Sequence, residues 1–140
     1  MQLNRHLIRD YLLSLAKAST QVGSGERDYE AHYHYLWEQT DADSDLERYF
    51  LDYLVQTGRR LPDTAQRPLA DAYSVPDFFY EPNICIFCDG SVHDQPQQQA
   101  HDQQIRQQLR SQGYRVIIYR YDADLETLCQ QYGDVFGAAI

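Results

Sequence analysis

Asp77, Asp89 and His93 are the residues of this 140-residue chain whose types and order best suit chemistry. Asp77 precedes the aromatic run Phe78-Phe79-Tyr80. Asp89 ends the apolar run Ile84-Cys85-Ile86-Phe87-Cys88, and His93 follows in the next loop. Between the two runs, Glu81-Pro82-Asn83 is a turn. Folding there makes the strands antiparallel, and counting back equally from the turn sets Asp77 opposite the Phe87–Asp89 region. Two carboxylates at one end of a sheet repel each other unless one is protonated or a cation lies between them. Hard oxygen donors with room for water suit Mg²⁺ (or Mn²⁺). An imidazole at the rim, with its near-neutral pKa, can take a proton from water. Each piece alone is ordinary, since Pro76-Asp77 and Asp89-Gly90 are both common turn dipeptides. The convergence of the three is what points to chemistry. Glu47 has two roles open to it: the reciprocal cap to Ser44, or a helix-borne acid reaching the same edge.

The elements that must position these residues follow from periodicity. Residues 3–18 carry apolar side chains at helical spacing, and residues 19–25 form a joint of small and polar residues. Residues 27–39 make a tyrosine-rich helix on which His32 and His34 diverge. Residues 44–56 make the clearest helix, with Ser44 and Glu47 in a capping box and Gly58 to end it. Residues 59–70 are loop. Residues 72–80 and 84–88 are strands, 97–112 a polar helix, 114–119 a strand, 122–132 a final helix and 133–140 a tail. The glutamines of the polar helix form a solvated face. The strand–helix–strand segment from residue 84 to 119 is a crossover unit, expected to be parallel and right-handed. The fold class is therefore α/β: a small mixed sheet flanked by helices, with an N-terminal helical extension at 1–43 and an α/β domain at 44–140.

Composition narrows the function. No apolar run is long enough to span a bilayer and no signal peptide is evident, so a cytoplasmic protein with no membrane partner is expected. Cys85-x-x-Cys88 resembles half a zinc site, but residues three apart on a strand face opposite ways, and the remaining cysteine, Cys129, is single. Buried structural cysteines are the better reading. A net charge of −9 is unlike the basic footprint of a free-standing nucleic-acid binder. Metal ions, or a basic partner, must then supply positive charge if the substrate is nucleic acid.

Pro76-Asp77-Phe78, Ile86-Phe87-Cys88-Asp89-Gly90-Ser91-Val92-His93, Asp102, Ile105-Arg106, Leu109 and Gly113-Tyr114-Arg115-Val116-Ile117 together resemble the PD-(D/E)XK endonuclease superfamily, in its very-short-patch-repair-like branch. Leu46-Glu47-Arg48-Tyr49-Phe50 resembles the group's acidic N-terminal helix. The resemblance covers roughly residues 44–122, and similar segments end large helicase-type proteins of phage defence. It implies a restriction-endonuclease-like sheet and Mg²⁺-dependent cleavage of DNA, with a helicase-type or other protein partner. Asp77 takes the place of the metal-binding acid. The strand end at Cys88 takes that of a position whose backbone carbonyl completes the metal shell. Asp89 and His93 match the polar pair that handles water and phosphate, with Glu47 assisting. Two departures stand out. The superfamily's lysine is missing, the sole lysine being Lys17, and Phe87 stands where many relatives have a strand acid. Arg106, Arg115 or Arg120 are the candidates to replace the lysine's charge. These losses keep a second reading open, a catalytically degenerate nuclease fold used for docking or DNA sensing. A non-nuclease hydrolase built on His93 lacks an activated nucleophile, because Ser91 sits on no strand-to-helix elbow.

Overall fold

The computed structural model describes residues 24–69 and 74–140. The helix expected at 3–18 and most of the joint at 19–25 lie outside the described residues. Among the described residues five helices flank a four-stranded sheet. In chain order the elements are α1 (Ser24–Gln39), α2 (Asp45–Thr57), β1 (Thr64–Ala65), β2 (Phe78–Tyr80), β3 (Ile84–Asp89), a 3₁₀ turn (Ser91–Asp94), α3 (Pro96–Ser111), β4 (Arg115–Arg120), α4 (Leu125–Gln131) and α5 (Gly133–Phe136).

The sheet order is β1-β2-β3-β4. β1–β2 and β2–β3 are antiparallel, with Phe78 opposite Ile86, and β3–β4 is parallel, with Ile86 opposite Ile117. The parallel pair needs a long crossover, which α3 provides. Alternation along the strands sends Phe78, Tyr80, Ile84, Ile86, Cys88, Ile117 and Tyr119 to one face. There they join Tyr33 and Leu36 of α1, Phe50 and Leu54 of α2, Leu125 of α4 and Phe136 of α5. The other face presents Phe79, Cys85, Phe87 and Val116 to Leu109 and Ile105 of α3. Cys85 and Cys88 thus belong to opposite faces, and all three cysteines are free and buried, as strand alternation requires.

Local chemistry sets the boundaries. Ser44 Oγ accepts the Glu47 amide at the start of α2, and Gly58 in the left-handed region (φ 70°) closes that helix. Only half of the expected capping box forms, because the Ser44 amide donates to the Asp41 carbonyl and leaves the Glu47 carboxylate free to act elsewhere. The loop expected at 59–70 contains β1, and of the described residues in the strand expected at 72–80, Phe78–Tyr80 form a ladder strand, with an isolated bridge from Leu69 to Ser74. The expected tail at 133–140 is not a tail. Its residues Val135 and Phe136 are buried, and Phe136 meets the rings of Phe50 and Tyr80 edge-on. The helix placed in the N-terminal extension shares the main core through Tyr33, whose hydroxyl donates to Asp52 at 2.5 Å.

Candidate functional site

The expected meeting of the hairpin strands is present. Asp77, one residue before β2, reaches across so that its Oδ2 accepts the Cys88 amide at 2.6 Å. Its other oxygen accepts from Gln66 Nε2 at 3.2 Å, and the same amide donates to Glu47 Oε1 at 2.7 Å. Glu47 also accepts the Asp41 amide at 3.3 Å. Glu47 is 4% exposed, although it sits in the first turn of α2. It is therefore the site-facing acid and not the reciprocal cap. Gln66 bridges the two acids from a left-handed backbone conformation (φ 54°) that a non-glycine residue adopts only under constraint.

Among the described residues the donors to these two carboxylates are neutral: backbone and side-chain amides, with the Ser44 side chain also acting on Glu47. Burial, then the charge of Glu47, pushes Asp77 up to about 7, against the pull of the Cys88 and Gln66 hydrogen bonds. Burial likewise raises Glu47. Burial lifts the Cys88 thiol well above its ordinary value, so Cys88 enters the site through its backbone and its sulfur stays protonated.

Asp89 ends β3 on the α3 face, where it is 3% exposed. Both its oxygens are held by the Arg106 fork, at 2.8 Å from Nη1 and 2.5 Å from Nη2. The Arg106 guanidinium also lies 4.9 Å over the Phe87 ring. Of the three arginines considered for the missing lysine's charge, Arg106 reaches the site. Arg115 pairs with Asp134, and Arg120 pairs with Asp94 and Asp122.

His93, in the 3₁₀ turn, places Nδ1 2.6 Å from Asp102 Oδ2 and 3.8 Å from Asp89 Oδ1. The carboxylate that orients the imidazole is thus Asp102, and not Asp89 as the sequence suggested. Burial acts to raise Asp102, but the bonds from His93 and Gln98 and the charge of Arg106 together hold it below its ordinary value. With a proton on Nδ1 shared with Asp102, Nε2 is the acceptor.

Asp102 and Arg106 are spaced to share the buried face of α3 with Leu109. That spacing is the available signal for them in the sequence, where Asp102 stands in the resemblance without a role and Arg106 as one of three candidate charges.

Asp89, His93 and Asp102 bring one ligand atom each within 4.8 Å of one another and could hold a metal ion. Asp77 is not part of that trio. It lines the same cleft, together with Asp41, Glu47, Cys88, Asp89, His93 and Asp102. A second cleft of about 590 Å³, between α3 and β4, shares Asp89, His93, Asp102 and Arg106 as its wall. Both open at the carboxyl end of the parallel pair, the usual position for ligand sites in α/β sheets. Among the described residues no helix is long and apolar enough to cross a membrane. No protein-family model, curated protein or solved structure matches the chain.

Proposed function

We propose that this chain is a metal-dependent DNA endonuclease of the PD-(D/E)XK, very-short-patch-repair-like type. One observation carries the reading. Two acids, buried Glu47 and half-buried Asp77, meet only neutral donors among the described residues, and they line the same cleft as an imidazole oriented by a carboxylate. A carboxyl held near neutrality by burial and a like charge marks a place where a cation relieves the strain. The donor set is hard oxygen, which fits Mg²⁺ or Mn²⁺ better than a thiophilic ion. Asp77 and Glu47 would hold the ion, with Asp89, His93 and Asp102 bordering the same space. A bound divalent ion would supply Lewis-acid charge to a phosphate oxygen and acidify a nearby water.

The chain's own groups do the rest. His93 Nε2 accepts the proton of the attacking water, and Asp102 fixes the tautomer that leaves this nitrogen basic. Arg106 neutralises Asp89, so that an anionic phosphate approaching the wall between the clefts meets less negative charge. The net charge of −9 favours action beside a basic partner, of the helicase type that the resemblance implies.

A degenerate docking or sensing module is the second reading. It is favoured by the full engagement of both Asp89 oxygens with Arg106. Incubation of the purified chain with supercoiled and linear DNA separates the two. The nuclease reading expects nicking that needs Mg²⁺ or Mn²⁺ and falls on the order of 100-fold or more in Asp77→Asn. Absence of cleavage under every divalent ion, with and without a helicase-type partner, would leave the docking reading.

A further inference from the structure

Arg110 is the exception among the described arginine side chains. Arg59, Arg60, Arg67, Arg106, Arg115 and Arg120 each pair with a carboxylate, and Arg48 lies 4.0 Å over the Trp37 ring. Arg110 is exposed in the last turn of α3 and has no such partner among the described residues. Its guanidinium lines the cleft between α3 and β4.

Arg110 sets that cleft apart from its neighbour. Arg106, Arg110 and Arg120 line it with Asp89 and Asp102. Since Arg106 is held by Asp89 and Arg120 by Asp94 and Asp122, Arg110 is the cation left without a carboxylate there among the described residues. Both carboxylates are already engaged, Asp89 by Arg106 and Asp102 by His93 and Gln98. Gln103 and Gln107, exposed and one helical turn apart, complete the wall beside Arg110. Primary amides donate and accept, so they can meet base edges or phosphate oxygens, and a free guanidinium meets phosphate as a fork. The two clefts share Asp89, His93, Asp102 and Arg106 in their linings, so they lie side by side at the end of β3.

We infer that the α3–β4 cleft carries the polynucleotide strand leading away from the reacting phosphate, with Arg110 holding a phosphate and Gln103 and Gln107 lining the strand's path. The inference rests on the nuclease reading of the acidic cleft, and it gives the exposed glutamines of α3 a function.

The test is anisotropy of a fluorescein-labelled single-stranded oligodeoxynucleotide with the full chain, in chelator so that no cleavage occurs, between about 50 and 200 mM salt. Arg110→Glu should weaken binding by on the order of tenfold at the low end of that range. Arg110→Ala should lower the slope of log K against log salt by about 0.7, Arg110→Lys should restore it, and Gln103→Ala with Gln107→Ala should weaken binding without changing the slope. Arg110 is exposed, so unchanged melting temperatures will show that the variants fold. Wild-type affinity and slope in Arg110→Glu would overturn the inference, as would failure of the wild-type chain to bind the oligonucleotide at low salt. Metal-dependent stabilisation, measured on the same proteins without nucleic acid, reports on the acidic cleft alone. Its absence with the Arg110 effect intact removes the nuclease reading and keeps the binding path, and its presence without the Arg110 effect removes the strand path only.

Discussion

The two clefts that meet at the end of β3 are built from one shared wall and differ in what faces it. On one side the wall looks across to Asp41, Asp43, Glu47 and Asp77, and among the described residues Arg106 is the one arginine lining that space. On the other it looks across to Arg110 and Arg120 and a row of glutamines. The same four residues therefore border a place suited to a cation and a place suited to an anion. The contrast teaches what the Asp89–Arg106 pair does. It is a neutral partition, and without it each cleft would gain a buried charge of the wrong sign for the other. Under the inference above, a chain with a net charge of −9 would keep one local surface for phosphate.

The largest effect should come from breaking the partition. Arg106→Met leaves Asp89 buried without its partner and should cost about 3–5 kcal/mol in urea unfolding, much of it recovered when Asp89→Asn is added. Equal losses in the single and double variants would show that the pair is not the partition described. Next, Asp102→Asn removes the acceptor that holds His93 Nδ1. It should lower kcat on the order of 100-fold with little change in KM, and the pH–rate profile should shift, which a purely structural role for Asp102 would not produce.

A smaller effect concerns pH. Asp77 is raised from 3.8 to about 7 by folding, so its neutral form is the one the native state prefers. The stabilising contribution of Asp77 without metal should be fully present below about 4 and be lost as pH rises through about 7. Glu126 and Asp102, held low, lose theirs as pH falls, so the Asp77 part is read as the difference between wild type and Asp77→Asn. Some solvent reaches the carboxyl, which reduces the expected loss to roughly 2 kcal/mol. Asp77→Asn should flatten this profile, and Glu47→Gln should move its upper end to lower pH by removing the neighbouring charge. Identical profiles in all three proteins would show that the acidic cleft carries no strain. The smallest effect is Ser44→Ala, which should cost about 1 kcal/mol by removing the cap that starts α2 and aims Glu47.

The hairpin and the crossover were legible because their signals are local. Apolar alternation ends at turn residues, so the placement of Asp77 against Cys88 followed from counting. The capping residue Ser44 and the terminating Gly58 were visible for the same reason. Gln66 was not. A two-residue strand has no periodicity, and a glutamine in the left-handed region leaves no compositional trace, yet it bridges the two acids. Asp102 stood in the resemblance but without a role, for a different reason. Sequence order put Asp89 next to His93, whereas the helix brings a carboxylate from further along the chain to the shorter bond. Phe136 was hidden by its position near the end of the sequence, although it packs on Phe50 and Tyr80 in the main core.

The most direct test of the account is the melting temperature of the chain during titration with Mn²⁺ at pH values either side of 7, for wild type and Asp77→Asn. The account predicts a saturable rise that strengthens as pH passes 7, because protons and the cation compete for Asp77, and that is absent in the variant. A rise of equal size in Asp77→Asn, or none in the wild-type chain at millimolar ion, would contradict it.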